Sequence, residues 1–296
     1  MAGRSGTDRA TIATVLVIGA LWGLNWPAVK LMLTEIPPLT VRACAFPLAG
    51  VALALLARAR GERLRPARGE LLPILWTGLP LVLGFNGLTS IGQTLTETSR
   101  AAILAYTMPA MTAGLAAIFL GERAGKKLWL ALGLGMAGLA ALASENLSAL
   151  LADPLGPAVM LAAALSWAAG GVLFRAQTWS LSPLALTAWF FAVSTIGGWL
   201  LVFALEAPFE RPFPSPRILA VFGFHVAGPM VAAYALWTAL VARVGATTGA
   251  LATLAAPVVG VLSSMLLLGD PASPQKFLAL ALIVASVAVT LAPRKA

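Results

Sequence analysis

Apolar residues come in blocks of about twenty, and the polar residues between them fall into short clusters. The blocks lie near 12–34, 38–57, 71–93, 98–120, 128–144, 155–177, 183–204, 217–241, 247–268 and 276–292. A bilayer core is about 30 Å thick, so a helix rising 1.5 Å per residue crosses it in roughly 20 residues. The other structure that satisfies every backbone group in lipid is a closed barrel. Its strands alternate apolar and polar over roughly ten residues, whereas these blocks are longer and do not alternate. The pattern predicts an all-α integral membrane protein with ten transmembrane helices.

Composition strengthens that reading. With 59% hydrophobic and 10% charged residues, the chain lacks the roughly 25% charge that a soluble domain spreads over its surface. The first block is long and no small-x-small cleavage pattern follows it, so it reads as a retained span rather than a removed leader. The one cysteine, Cys44, falls inside a block, which excludes an internal disulfide.

The net charge of +9 changes the picture only through its distribution. With the N-terminus in the cytoplasm, 14 of the 20 basic residues fall on the cytoplasmic side; Lys30, Arg42, Arg100, Arg211, Arg217 and Lys276 fall on the other. Cytoplasmic Lys and Arg set orientation, so both termini are expected in the cytoplasm of a prokaryotic inner membrane. The run RARGERLRPARGE (58–70) is foremost such a signal, with anionic headgroups a further contact. The partners implied are the lipid bilayer and a small-molecule substrate, with no nucleic acid. Oligomeric state stays open, a monomer being sufficient.

The chain also repeats itself. YTMPAMTAGLAAIFLGERAG (106–125) lies over LAAPVVGVLSSMLLLGDPAS (254–273), matching Pro109 to Pro257, Gly121 to Gly269 and Glu122 to Asp270 at an offset of 148. ALWGLNWPAVK (20–30) lies over ALSWAAGGVLFR (164–175), matching Trp22 to Trp167 and Lys30 to Arg175 at an offset of 145, and Pro38 meets Pro183 at the same offset. Two five-span units follow, 1–148 and 149–296, joined near ENLSALLADPLGP (145–157). Five is odd, so the second unit enters the membrane from the opposite face. Inverted repeats of this kind recur in secondary transporters, with the site where the repeats meet.

Five-plus-five spans, the W-G-x-N of Trp22 to Asn25, and the paired Pro…Gly-Glu/Asp endings of the fourth and ninth spans resemble the drug/metabolite transporter superfamily, EamA type, over roughly 12–292. The narrower likeness is to the YddG-type exporters of amino acids. The resemblance implies a ten-helix fold around a central cavity and export of small metabolites such as amino acids. The second repeat departs from the motif: L-S-W-A-A lacks the glycine and the asparagine, so the halves are expected to contribute unequally to the cavity.

Candidate chemistry begins in the first span. Trp22, Asn25, Trp26 and Val29 share one helical face. An asparagine facing lipid leaves its amide unpaired at a cost of several kcal/mol, so that face is expected inward. In the third span Asn86, Thr89, Ser90 and Gln93 form a polar stripe, read as a cavity wall rather than as interhelical contacts alone. Trp167 is the repeat counterpart of Trp22, and the two tyrosines, Tyr106 and Tyr234, offer hydroxyls to cargo or to the core. His225, the one histidine, lies inside the eighth span, where an ionisable group is a functional candidate or a neutral, bonded imidazole. Pro27, Pro109 and Pro257 are candidate hinges, with Pro80 and Pro229 also inside spans.

Absences narrow the class. Glu35, Glu97, Glu122, Glu145, Asp153, Glu206 and Asp270 lie at or near span ends, so a mid-membrane carboxylate relay has no obvious counterpart. Proton coupling would fall to His225 or to a flanking carboxylate such as Glu97. There is no G-x-x-x-x-G-K-S/T, H-E-x-x-H or G-x-S-x-G, so no cofactor, metal or enzymatic activity is expected. Lys30, Glu35, Arg42 and Arg100 read as surface pairs rather than guards of the outer mouth. Gly19/Gly23 and Ala131/Gly135 read as close helix packing. The expectation is a carrier moving amino acids or similar metabolites outward by alternating access. A broad drug exporter on the same fold is the first rival, and a membrane enzyme or scaffold the second.

Overall fold

The computed structural model describes residues 9–121, 126–145, 153–208 and 210–291, except the side chains of 127–128, 241–254 and 290–291. Among them the fold is helical, with no strand. The helices are α1 (Arg9–Met32), α2 (Pro38–Ala59), α3 (Leu71–Leu95), α4 (Thr98–Phe119), α5 (Lys126–Ala143), α6 (Leu155–Arg175), α7 (Pro183–Leu205), α8 (Pro216–Leu240), α9 (Ala255–Leu268) and α10 (Pro274–Leu291). Among the described residues seven, α1–α4 and α6–α8, are long and apolar enough to cross a membrane; the apolar parts of α5, α9 and α10 are shorter. Residues 122–125 and 146–152, which include Glu122 and most of the join between repeats, lie outside the described residues.

One boundary differs from the sequence pattern. The eighth and ninth blocks share a continuous helical backbone, Ala233–Leu268. They nevertheless pack as two limbs. A straight helix would separate Gly228 from Val259 by roughly 46 Å. Yet Gly228 lies against Leu21 and Val259 against Gly23, both on one turn of α1.

Proline shapes the helices in several ways. Around Pro80, α3 widens into π-helical turns at Leu79–Gly84, and around Pro229, 149 residues later, α8 does the same at Val226–Ala232. A proline cannot make its bond to residue i−4, and an extra residue per turn lets the ladder close again around the gap. Each of these prolines also receives a donor from another helix. Trp22 Nε1 of α1 donates to the Pro229 carbonyl (3.2 Å), and Ser166 Oγ of α6 donates to that of Pro80 (2.8 Å). The helical run of α4 is interrupted at Tyr106 and Thr107, just before Pro109.

Helix α1 is unbroken through Pro27, and the helix around Pro257 is continuous. The Gly23 carbonyl, which Pro27 deprives of its helical donor, lies near Gly260 of α9. Both α4 and α9 end at a glycine in the left-handed region, Gly121 (φ 65°) and Gly269 (φ 73°), the conformation that stops a helix and favours glycine.

The carboxylates at the span ends tie one half of the chain to the other. Glu206 accepts from the Leu39 and Thr40 amides (2.8 Å each) at the start of α2, and Asp270 from the Ser99 amide (2.6 Å) at the start of α4. Glu35 accepts from the Ser215 amide and hydroxyl (2.6 and 2.8 Å) at the start of α8. A helix N-terminus presents free N–H groups and positive potential, so an anion is stabilised there. Glu62 accepts from Ser182 Oγ, and Glu70 from the Ser180 hydroxyl and amide (2.6 Å each). The Ser180 bonds hold the Glu70 carboxyl below its usual range.

Two apolar cores result, each drawn from both halves. Phe46 and Leu53 of α2, Ile74 of α3, Phe191 of α7 and Met230 of α8 belong to one. Trp26 of α1, Ile103 of α4, Met160 of α6, Val261 of α9 and Ile283 of α10 belong to the other. Helix α2 runs along α7, α5 along α10, α1 against α8 and α9, and α6 against α3 and α4. Small residues permit the closest approaches, as expected for Gly23 and for the Ala131/Gly135 pair. The Ala131 carbonyl accepts from Ser286 Oγ of α10 at 2.6 Å, and Gly135 faces the same serine.

Candidate functional site

Between the two cores lies a cavity of about 140 Å³. An engineered apolar cavity of about 150 Å³ admits benzene, so the space suits a compact apolar group. Helix α1 contributes Trp22, Asn25 and Trp26; α3 Phe85, Asn86, Thr89 and Gln93; α4 Tyr106 and Met108; α6 Trp167. Helix α8 adds Pro229, Met230, Tyr234 and Trp237, and α2 adds Arg42. The helical period gathers these side chains: positions 22, 25 and 26 fall on one face of α1, and 86, 89 and 93 on one face of α3. Aromatic pairs stiffen the wall, Trp22 edge-on to Tyr234 (5.7 Å), Phe85 edge-on to Trp167 (4.9 Å) and Trp26 tilted on Tyr106 (6.3 Å). Seven of the eight residues read from the sequence as cavity candidates therefore meet in one place.

His225 is the exception. It is fully buried, one layer behind the wall. Its Nδ1 lies 2.6 Å from Asn25 Oδ1, and its Nε2 lies 3.2 Å from Nη1 of Arg42. A guanidinium can only donate, so Nε2 is the acceptor and the proton sits on Nδ1, donated to Asn25 Oδ1. Both ring nitrogens are then engaged by a neutral imidazole. Asn25 is held with its acceptor turned to His225 and its amide hydrogens free of that bond. His225 positions the cavity wall rather than forming it.

Arg42 is the larger correction. Expected to pair at the surface, it is 2% exposed and lines the cavity. Its Nε donates to Ser90 Oγ (2.7 Å) and to the Asn86 carbonyl (3.1 Å), which ties α2 to α3. Ser90 thus stands behind the polar stripe while Asn86, Thr89 and Gln93 face the space. Asn86 Nδ2 donates to the Val82 carbonyl (2.9 Å), which leaves its Oδ1 unengaged by that bond. Lys30 also reaches inward, its ammonium bonded to the Gln93 carbonyl. Glu35 and Arg100 do pair near the helix ends, Arg100 with Glu145 at 2.8 Å. Arg42, Phe85, Met108, Met230 and Trp237 escaped the sequence reading. A charged residue five positions inside an apolar block was the available signal for Arg42.

The site can hold a small molecule by an apolar group against the aromatic wall and by polar groups on Asn25, Asn86, Thr89, Gln93 and Arg42. Among the described residues no three His, Cys, Asp or Glu side chains gather as metal ligands.

Comparison with known proteins gives a consistent result. The model of the EamA-like transporter family matches residues 9–144 and again 154–292. The uncharacterized inner membrane transporter YedA of Escherichia coli (strain K12) is 30% identical over 281 residues, 92% of this chain and 87% of YedA. The uncharacterized transporter YvbV of Bacillus subtilis (strain 168) is 24% identical over 291 residues, 98% of this chain and 93% of YvbV. YoaV of the same bacterium, also an uncharacterized transporter, is 24% identical over 191 residues, 64% of this chain and 65% of YoaV. A chain of known crystal structure superposes with a TM-score of 0.67 at 21% identity, covering 94% of this chain and 96% of that one. At that identity the likeness concerns the fold.

Proposed function

Because the chain belongs to the EamA-like transporter family, we propose that it is a secondary carrier exporting amino acids or similar small metabolites by alternating access. In this reading residues 1–148 and 149–296 are inverted five-helix repeats, ten spans in all, in the inner membrane with both termini cytoplasmic. The observation that carries it is the aromatic-walled cavity between two cores, each built from both halves.

Reciprocity of contacts supports the inverted arrangement. Where α1 meets the widened turn of α8 through Trp22, α6 meets the widened turn of α3 through Ser166. Helices α2 and α7, equivalent in the two repeats, pack on each other, as do α5 and α10. Contacts that map onto themselves when the halves are exchanged are what a two-fold axis produces, and two equivalent halves can trade inward-open and outward-open roles at similar energy. A broad exporter of cationic drugs fits less well, since the described residues lining the cavity include Arg42 and no carboxylate.

The test is efflux from proteoliposomes preloaded with a panel of amino acids, with and without a proton gradient. Trp22→Ala removes a wall and the donor to Pro229. It is expected to slow efflux about tenfold while the monodisperse yield on size exclusion is kept. Unchanged efflux would take Trp22 out of the site, and no efflux of any amino acid by the wild type would remove the proposal.

A further inference from the structure

Among the described residues Arg42 and Lys276 are buried and Arg100 is partly buried, and Lys276 and Arg100 have carboxylate partners. Lys276 meets Glu97 at 2.5 Å and Arg100 meets Glu145 at 2.8 Å. Arg42 does not. Among the described residues no carboxylate lies within 4.0 Å of it, and its bonds go to the neutral Ser90 hydroxyl, Asn86 carbonyl and His225 ring. Those acceptors fix the Nε and Nη1 side of the guanidinium. Its Nη2 has no partner among the described residues, and the residue lines the cavity. Neutral acceptors satisfy hydrogens but leave the charge uncompensated, and a buried charge is stabilised by an opposite one.

From this we infer that Arg42 is the anchor for a carboxylate on the cargo, so the carrier takes compact apolar acids, amino acids among them, and refuses their amides and amines. The inference deepens the transport reading and rests on it. A guanidinium held from one side offers its remaining N–H groups to an oxyanion in a fixed plane. Among the described residues that line the cavity there is no carboxylate to compete for them. Gln93 Oε1 is buried without a partner among the described residues, an acceptor available to an N–H of the same cargo. Trp237 Nε1 is likewise an unbonded donor on the wall. The charge is single: at the repeat offset of 145, position 187 is a threonine. One anchor, in one half, gives the cargo one orientation.

The experiment compares L-alanine, L-leucine and L-phenylalanine with their amides and their decarboxylated amines. Binding to purified wild-type protein is read by tryptophan fluorescence, and counterflow by proteoliposomes. Chloride and inorganic phosphate serve as plain anions. At least one acid is expected to bind and move, with its amide and amine at least tenfold weaker. Arg42→Gln should lower affinity for that acid at least tenfold without changing the weak response to the amide, and Arg42→Lys should recover part of it. The acid-against-amide comparison needs no variant, so it stands even if Arg42→Gln fails to fold. Equal handling of acid and amide overturns the anchor while leaving transport intact, and so does a phosphate or chloride response equal to that of the acids. If nothing in the panel binds or moves, the amino-acid reading fails and the anchor fails with it.

Discussion

Gly170→Ala is expected to collapse the folded yield, whereas Gly171→Ala, one residue away, should be tolerated. A Cβ on Gly170 would lie 2.6 Å from the Leu81 Cβ and 2.7 Å from its Cα and backbone nitrogen. Those are backbone atoms of the widened turn in α3, which cannot rotate aside, so α6 and α3 must separate. Forced overpacking of this kind costs about 1–3 kcal/mol or more. The separation would also disturb the Ser166 bond to Pro80 and the Phe85–Trp167 contact. A Cβ on Gly171 meets only Thr112, with Cγ2 at 3.6 Å and Oγ1 at 4.0 Å, and one on Gly114 meets nothing within 4 Å. There alanine removes a helix-weakening glycine worth roughly 0.5–1 kcal/mol. Thermal unfolding in detergent, with yield of monodisperse protein, separates the three variants. Equal yields for Gly170→Ala and Gly171→Ala would show that the α3–α6 approach is looser than described.

Glu97→Leu is expected to destabilise the protein more than Lys276→Met does, although both remove the same ion pair. Lys276 is fully buried, with Nζ 2.5 Å from Glu97, 2.8 Å from the Pro271 carbonyl and 3.9 Å from Glu145. Losing Glu97 strands an ammonium out of water. Removing one partner of a buried pair costs roughly 3–5 kcal/mol. The lower end applies here, because Glu97 keeps 37% of its side chain exposed and Glu145 remains nearby. Losing Lys276 instead leaves carboxylates that water can reach. The double variant should therefore recover part of the Glu97→Leu loss. A double-mutant cycle on unfolding midpoints measures the coupling, and strictly additive losses would contradict the pair.

The sequence announced what membrane physics enforces and concealed what a single side chain's direction decides. Span length and hydropathy made the helices visible, because lipid leaves few ways to satisfy a backbone. The cavity face of α1 was legible because Asn25 is too polar to face lipid and the period carried Trp22 and Trp26 with it. Arg42 stands near a helix end, where an arginine commonly extends to water, so its position alone points to the surface. Only the packing of α2 on α3 and α8 shows that Ser90, Asn86 and His225 draw it inward. His225 was marked by its isolation, but its place behind the wall depends on rotamers that spacing does not encode. The widened turns of α3 and α8 were hinted at by Pro80 and Pro229. Proline alone does not say whether a helix will kink, break or widen; in this chain α4 is interrupted before Pro109 and α1 runs through Pro27.

The most direct measurement is thiol accessibility of the cavity from each face of the membrane. Cys44 is the one native cysteine, so a Cys44→Ala background is clean. Thr89→Cys then places a thiol on the cavity wall. With a membrane-impermeant reagent applied separately to inside-out and right-side-out vesicles, labelling is expected from both faces, slowed in each case by a transported amino acid. Labelling from one face alone, or at a rate that cargo does not alter, would contradict a shared cavity opened alternately to the two sides.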